Sequence, residues 1–168
     1  MNILSRFKDI TTFVFDIDGV LTDGTLLITE QGEMLRRMNI RDGYALQLAI
    51  KKGYQVWIIS GGRQEAPILR LKRLGITEAH YDVGDKKQLL QSLWLQYGNT
   101  PAQTLYMGDD IPDHAAMKLC GLPTCPADAA PEIIAVSQYV SHHTGGTGCV
   151  RDVIEKVLKL NGHWDIPE

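Results

Sequence analysis

No stretch of this 168-residue sequence stays apolar for the roughly 18–20 residues that a bilayer span requires. Its first residues, MNILSRFKDITTF, carry no secretory h-region, so the protein is expected in the cytoplasm. Charge of neither sign dominates: 17 Lys and Arg stand against 20 Asp and Glu, and a net charge of −3 gives no footing for nucleic acid or an anionic membrane. Cysteine is scarce. Cys120, Cys125 and Cys149 form no metal-ligand spacing and sit in apolar or glycine-rich surroundings, so reduced structural thiols are expected. Repeats, low-complexity tracts and linkers are also missing. Residues 1–168 are therefore expected to form one domain around one sizeable core.

What the sequence does contain is alternation. Strand-like runs recur at 13–16, 55–60, 79–82, 104–107, 122–125 and 139–141, with helical patterns between them. Asp42 is expected to cap a helix ending before Gly53, and a second helix covers 65–74, with Pro67 in its first turn and Gly75 after it. Asp85 caps a third, whose Leu89, Leu90, Leu93, Trp94 and Tyr97 form an apolar stripe. Another helix follows Asp113, and Val150, Val153, Ile154, Val157 and Leu158 mark a last one. The fold class expected is α/β, a Rossmann-like and mostly parallel sheet flanked by helices on both faces. One segment breaks the pattern: residues 25–40 read as a β-hairpin turning at Glu30-Gln31-Gly32-Glu33, inserted after the first strand.

Directly after the apolar run Phe13-Val14-Phe15 comes Asp16-Ile-Asp18-Gly-Val-Leu-Thr-Asp23. The strand period points Asp16 and Asp18 to one side, and two adjacent anions ask for a cation or a proton between them. An Asp-Gly turn capping a strand would look the same. Ligands in open parallel sheets collect at the carboxyl ends of strands, and three further features end strands there. Val56–Ile59 delivers Ser60-Gly61-Gly62-Arg63, a hydroxyl on a flexible turn. The Gly84-Asp85-Lys86-Lys87 turn offers a cation, and Thr104–Met107 delivers Gly108-Asp109-Asp110 with Asp113 one helical turn on. Singly, these are a turn residue, a solvated lysine and helix-capping carboxylates. Together and in this order, they are the parts for phosphoryl transfer through a carboxylate nucleophile.

The same four segments resemble the four motifs of the haloacid dehalogenase-type phosphohydrolases, over nearly the whole chain. The hairpin directly after the first motif, the segment Met38-Asn-Ile-Arg-Asp-Gly-Tyr44 and the loop Gly145-Gly-Thr-Gly148 resemble the capless subfamily acting on 3-deoxy-D-manno-octulosonate 8-phosphate. Residues 24–59 are used by the hairpin and one helix, and 61–85 are too few for a folded lid, in keeping with the absence of a cap domain. The resemblance implies a Mg²⁺-dependent phosphoric monoester hydrolase of lipopolysaccharide precursor synthesis. It makes Asp16 the nucleophile and Asp18 the general acid and base. Asp16, the Asp18 backbone carbonyl and Asp109 would hold Mg²⁺. Ser60 and Lys86 would bind the phosphoryl oxygens, and Asp110 and Asp113 would orient the metal waters or Lys86. It also implies a homotetramer in which a neighbour's hairpin and C-terminal tail cover the cleft. The apolar Leu26, Leu27, Ile28, Met34, Leu35 and Met38 of the hairpin suit that burial, and Trp164 in the tail 161–168 is expected on a neighbour or in a disordered end.

Two departures bear on substrate. Ser60 stands where many relatives carry threonine, keeping the hydroxyl. Gly62 stands where octulosonate phosphatases often carry arginine, and where relatives acting on nine-carbon keto-deoxy acid 9-phosphates carry glutamate. Arg63, one position on, together with Gly61, Arg41 and Arg151, is a candidate for the sugar-acid substrate. A nine-carbon ester is thus the alternative substrate. A non-catalytic oligomerisation module is the alternative of another class, and it predicts decay of Asp16, Asp18, Lys86 or Asp109; all four are present.

Overall fold

Residues along each buried strand alternate between two helix layers, and this alternation sets the architecture. Phe13 and Phe15 of β1 (Thr12–Phe15), Ile58 of β4 (Gln55–Ile59) and Leu105 and Met107 of β6 (Thr104–Met107) face one apolar cluster. Helices α1 (Ile3–Lys8), α2 (Ile40–Lys51), α3 (Ala66–Arg73) and α7 (Cys149–Leu160) complete that layer. Val14, Trp57, Ile59 and Tyr106 face the other, closed by α4 (Lys86–Tyr97), α5 (Ile111–Met117) and α6 (Pro131–Val136). A sheet buried on both faces calls for nearly continuous apolar runs, and β1, β6 and β7 (Leu122–Cys125) are buried throughout, with Thr12, Thr104 and Thr124 as their buried polar residues. The computed structural model describes residues 2–167; Met1 and Glu168, the ends of the expected domain, lie outside the described residues.

The six strands of the main sheet pair in parallel, in the order β5-β4-β1-β6-β7-β8, where β5 is Glu78–His80 and β8 is Tyr139–Val140. Chain order reverses between β1 and β6, which makes the crevice beyond their carboxyl ends the topological switch point. Thr12–Phe15 lies in register with Thr104–Met107, so the residues following Phe15 and Met107 emerge side by side. The expected hairpin forms, but its strands β2 (Leu27–Ile28) and β3 (Met34–Leu35) are two residues each and exposed.

Several boundaries differ from the sequence expectation for a local reason. Asn39, not Asp42, caps α2, its side chain accepting the Arg41 and Asp42 N–H groups. Asp42 instead lies buried in the first turn and accepts the Arg151 N–H at 2.9 Å, tying α2 to α7; burial raises its carboxyl to about 6. Asp110, not Asp113, caps α5. Helices α1 and α6 were not expected, both being too short to show a period. Trp164 does not hang free. It packs edge-on against Tyr44, with the Arg151 guanidinium 5.1 Å from its ring. Met38 also packs on its own chain's core rather than standing exposed with the hairpin. The three cysteines are buried and unbridged.

Candidate active site

The chain after β1 does not continue as a strand but folds into a single wide turn over Ile17–Leu21, capped by the Asp16 side chain on the Ile17 N–H at 2.8 Å. Gly19 has φ 84°, and a Cβ there would lie 1.9 Å from Asp109 Oδ2, so only glycine lets this turn close on that carboxylate. Thr22 Oγ1 accepts the Gly19 and Gly24 N–H groups, and Gly146 N–H of the glycine loop donates to Val20 C=O at 2.9 Å. The turn is therefore held from within and from behind.

Four strand ends deliver side chains to this point. Lys86, the first residue of α4, is buried and donates to Asp16 Oδ1 at 3.0 Å and to Asp113 Oδ1 at 2.8 Å. Asp113 also accepts the Tyr106 hydroxyl at 2.9 Å and the Asp109 N–H at 3.2 Å. Its two oxygens thus carry three hydrogen bonds, and it braces Lys86 and Asp109. Ser60 is buried at the end of β4, and its Oγ accepts the Gly62 N–H at 3.2 Å. A cleft of about 270 Å³ is lined by Asp16, Asp18, Ser60, Gly61, Lys86 and Asp109, with Asp110 and Asp113 at its α5 side.

Charge in this cleft is unbalanced. Burial, then the nearby Asp113 charge, raises Asp16 well above the usual carboxylate range, with Lys86 opposing. Burial and Asp113 raise Asp109 to about 7. Burial pushes the Lys86 ammonium down, but the charges of Asp16 and Asp113 outweigh it and hold Lys86 above its ordinary value. One ammonium faces three carboxylates. Asp16, Asp109 and Asp113 each bring an oxygen within 4.8 Å of the others, and Asp109 Oδ1 is buried with no hydrogen-bond partner among the described residues. A buried carboxylate oxygen without a donor is a costly arrangement that a cation would relieve. Hard oxygen donors at this spacing fit Mg²⁺.

Of the residues expected at the site, Asp16, Asp18, Ser60, Gly61, Lys86, Asp109, Asp110 and Asp113 converge as the strand-end rule requires. Three arginines do not. Arg63 is 85% exposed in its side chain and lies 3.4 Å from Asp82. Arg41 and Arg151 line a separate cavity of about 540 Å³ between the starts of α2 and α7, and Arg151 is engaged by Glu155 and Trp164. The arginine that does reach the site is Arg36, after β3, which grips both oxygens of Asp18 at 2.6 and 3.2 Å. Tyr106 was also not foreseen. A tyrosine inside a buried strand needs a partner for its hydroxyl, and that requirement was the available clue.

No protein-family model matches the chain. Curated proteins and solved structures do. The 3-deoxy-D-manno-octulosonate 8-phosphate phosphatase of Salmonella typhi is 32% identical over 164 residues, covering 98% of this chain and 87% of that protein. The crystal structure of the phosphatase of that name from Yersinia pestis superposes with a TM-score of 0.93 at 34% identity, covering 96% of this chain and 87% of the other. A third similar protein, from Moraxella catarrhalis, superposes at 0.90 with 32% identity over 94% of this chain and 91% of its own; its structure holds a magnesium ion, a phosphate ion and a KDO molecule.

Proposed function

Since the chain belongs to the 3-deoxy-D-manno-octulosonate 8-phosphate phosphatase family of haloacid dehalogenase-like hydrolases, we propose that it hydrolyses that ester to KDO and inorganic phosphate with Mg²⁺, supplying lipopolysaccharide assembly. The observation that carries this reading is the buried Asp16–Lys86–Asp113 chain at the switch point, with the unpartnered Asp109 oxygen beside it. Residues 1–168 act in this reading as one phosphatase domain.

Asp16 attacks phosphorus and becomes an aspartyl-phosphate, which water then hydrolyses, so that one difficult displacement becomes two. Asp18, 38% exposed in its side chain toward the cleft, gives a proton to the departing sugar oxygen and later takes one from the attacking water. Lys86 holds Asp16 in place and balances the dianionic ester as it approaches the carboxylates. Ser60 Oγ and the N–H groups of its turn bind phosphoryl oxygens. Asp113 keeps Lys86 oriented, and Asp110 fixes the start of α5 beside Asp109. Asp16, Asp109 and the Asp18 backbone carbonyl would hold Mg²⁺, which supplies positive charge to the phosphoryl group when bound.

The cleft is shallow on a single chain, and the hairpin beside it leaves Leu27 68% and Ile28 62% exposed. A two-stranded ribbon of this size does not hold such residues in water unaided. In our reading a homotetramer covers them, a neighbouring hairpin closing each cleft. Among the described residues no helix is long and apolar enough to cross a membrane, and we place the enzyme in the cytoplasm, with neither nucleic acid nor membrane as partner. Gly62 favours keeping one second substrate in view, the nine-carbon keto-deoxy acid 9-phosphate, because no charged side chain stands at that position to choose between the two. Phosphate release with Mg²⁺ from the eight- and nine-carbon esters tests both. Preference for the eight-carbon ester is expected; preference for the nine-carbon ester would move the substrate, and release from neither would overturn the function.

The charge imbalance gives a second test. With Asp109 at about 7 in the metal-free protein, a proton and Mg²⁺ compete for one carboxylate. Protons win as pH falls. Mg²⁺ affinity by titration calorimetry is expected to be at least about tenfold weaker at pH 6 than at pH 8. Equal affinity at the two would mean that no proton competes with Mg²⁺ for Asp109 in this range.

A further inference from the structure

The hairpin is joined to the site by one side chain. Arg36 leaves the end of β3 and turns inward, its side chain only 6% exposed. Its Nε donates to Asp18 Oδ1 at 2.6 Å and its Nη2 to Asp18 Oδ2 at 3.2 Å, a two-point grip that fixes the plane of the carboxyl. Nη2 also donates to Gln64 Oε1 at 3.0 Å, and Nη1 reaches the Met34 carbonyl at 3.4 Å. Gln64 in turn donates to Met34 Sδ at 3.3 Å. Arg36 thereby ties three segments together: the hairpin, the turn after β1, and the loop that carries Ser60. Room for it comes from Gly62, where a Cβ would lie 3.2 Å from Asp18 Oδ2 and 3.8 Å from Arg36 Nη2. A larger side chain there would crowd the grip.

We propose that Arg36 is a positioning residue that aims the Asp18 carboxyl at the leaving-group oxygen, and so makes the seating of the hairpin part of the reaction. The inference rests on the phosphatase reading above, though not on which sugar acid is cleaved. Burying a guanidinium costs free energy that a solvent-facing hairpin has no reason to bear, and a residue serving only the hairpin fold would have no need of both Asp18 oxygens. Asp18 sits on a turn, where nothing else among its hydrogen bonds to described side chains restrains it. Arg36 takes one lone pair of each Asp18 oxygen and leaves part of the carboxyl open to the cleft, where a second lone pair can carry the proton passed to the substrate oxygen. A lysine at this position would keep the charge and lose the fork.

Leaving-group chemistry separates positioning from mere folding. The value of kcat/KM reports steps only through the first irreversible one, here formation of the aspartyl-phosphate, in which Asp18 protonates the departing oxygen. A sugar alkoxide needs that proton, and p-nitrophenolate leaves without it. With wild type, Arg36→Met and Arg36→Lys, kcat/KM is measured with Mg²⁺ for the octulosonate ester and for p-nitrophenyl phosphate. Arg36→Met is expected to lose about a hundredfold on the sugar ester, chiefly in kcat, and at least tenfold less on the nitrophenyl ester. Arg36→Lys should recover only part of the loss. Equal losses on both esters, or none, would overturn the positioning role while leaving the phosphatase reading intact. A wild type that releases phosphate from neither ester would overturn both.

Discussion

Asp16→Asn is expected to lower phosphate release by at least about 10⁴-fold while leaving the fold in place. The asparagine keeps the volume of a residue that is 7% exposed. Its amide oxygen can still accept from the Ile17 N–H and from Lys86, as Asp16 Oδ1 does. What it lacks is an oxygen able to form the acyl phosphate. Stability should move the other way. Burial raises the folded-state pKa of both Asp16 and Asp109, so the folded protein binds protons more tightly than the unfolded chain. Such carboxyls cost stability as pH rises above the unfolded value, Asp109 until about 7. Removing one of the two anions, and placing an amide N–H where it can meet Asp109, should therefore stabilise the metal-free protein at pH 8. A hydrogen bond to a charged group is worth about 1.5–3 kcal/mol, and its lower end corresponds to a rise in Tm of roughly 3–6 °C at this chain length. The same variant should gain much less from added Mg²⁺ than the wild type does. Calorimetric melting with and without Mg²⁺, beside the phosphate assay, checks both halves. Activity surviving within tenfold would remove Asp16 from the reaction.

Lys86→Met is expected to damage stability and turnover together. Lys86 is 4% exposed in its side chain and spans Asp16 and Asp113, which are 10% and 1% exposed. Taking away the shared cation leaves two desolvated carboxylates facing each other, a change that typically costs about 3–5 kcal/mol, or roughly 6–20 °C in Tm. The sign of its pH dependence is fixed. Lys86 has a raised folded-state pKa, so its contribution is complete at neutral pH and is lost only as pH climbs through that raised value. In the variant no ammonium remains, and protons taken up by Asp16 and Asp109 are the substitute. Its deficit should be largest at pH 8 and shrink toward pH 5, and Mg²⁺ should narrow it at the higher pH. Turnover should fall by at least about 10³-fold, because no ammonium then balances the dianionic ester against the carboxylates. A deficit that grows on acidification would contradict the charge-balance account of the cleft. Lys86→Gln, which keeps a donor for Asp113, offers a milder variant should the methionine substitution fold poorly.

Much of this could be read along the chain. Apolar strand runs separated by helix periods can bury themselves only as a parallel sheet between helices, and the residues just past each run must then gather at one edge. Asp16, Ser60 and Asp109 were recognisable by position, each coming within two residues of a strand end. Asp18 lies on the following turn, and Lys86 and Asp113 lie in the first turns of helices; these three were placed by their order with the others. The hairpin was equally visible, because it interrupts the alternation. Helix caps were less so. Asp42 and Asp113 both have the composition of a cap, yet each is drawn inside its helix by a distant partner, the Arg151 N–H in one case and Lys86 with Tyr106 in the other.

The arginines mark the boundary between the two kinds of information. Arg63 follows the Ser60 turn by three residues and ends in solvent beside Asp82, whereas Arg36 comes from another element and reaches Asp18. Sequence separation says nothing of where a long flexible side chain ends, because several rotatable bonds lie between its backbone and its charge. Period and strand end, properties of the backbone, determined the fold and the carboxylates from sequence alone. Which cation meets which carboxylate was decided by the packed structure, since burial and the neighbours it brings set the strength of each charge pair.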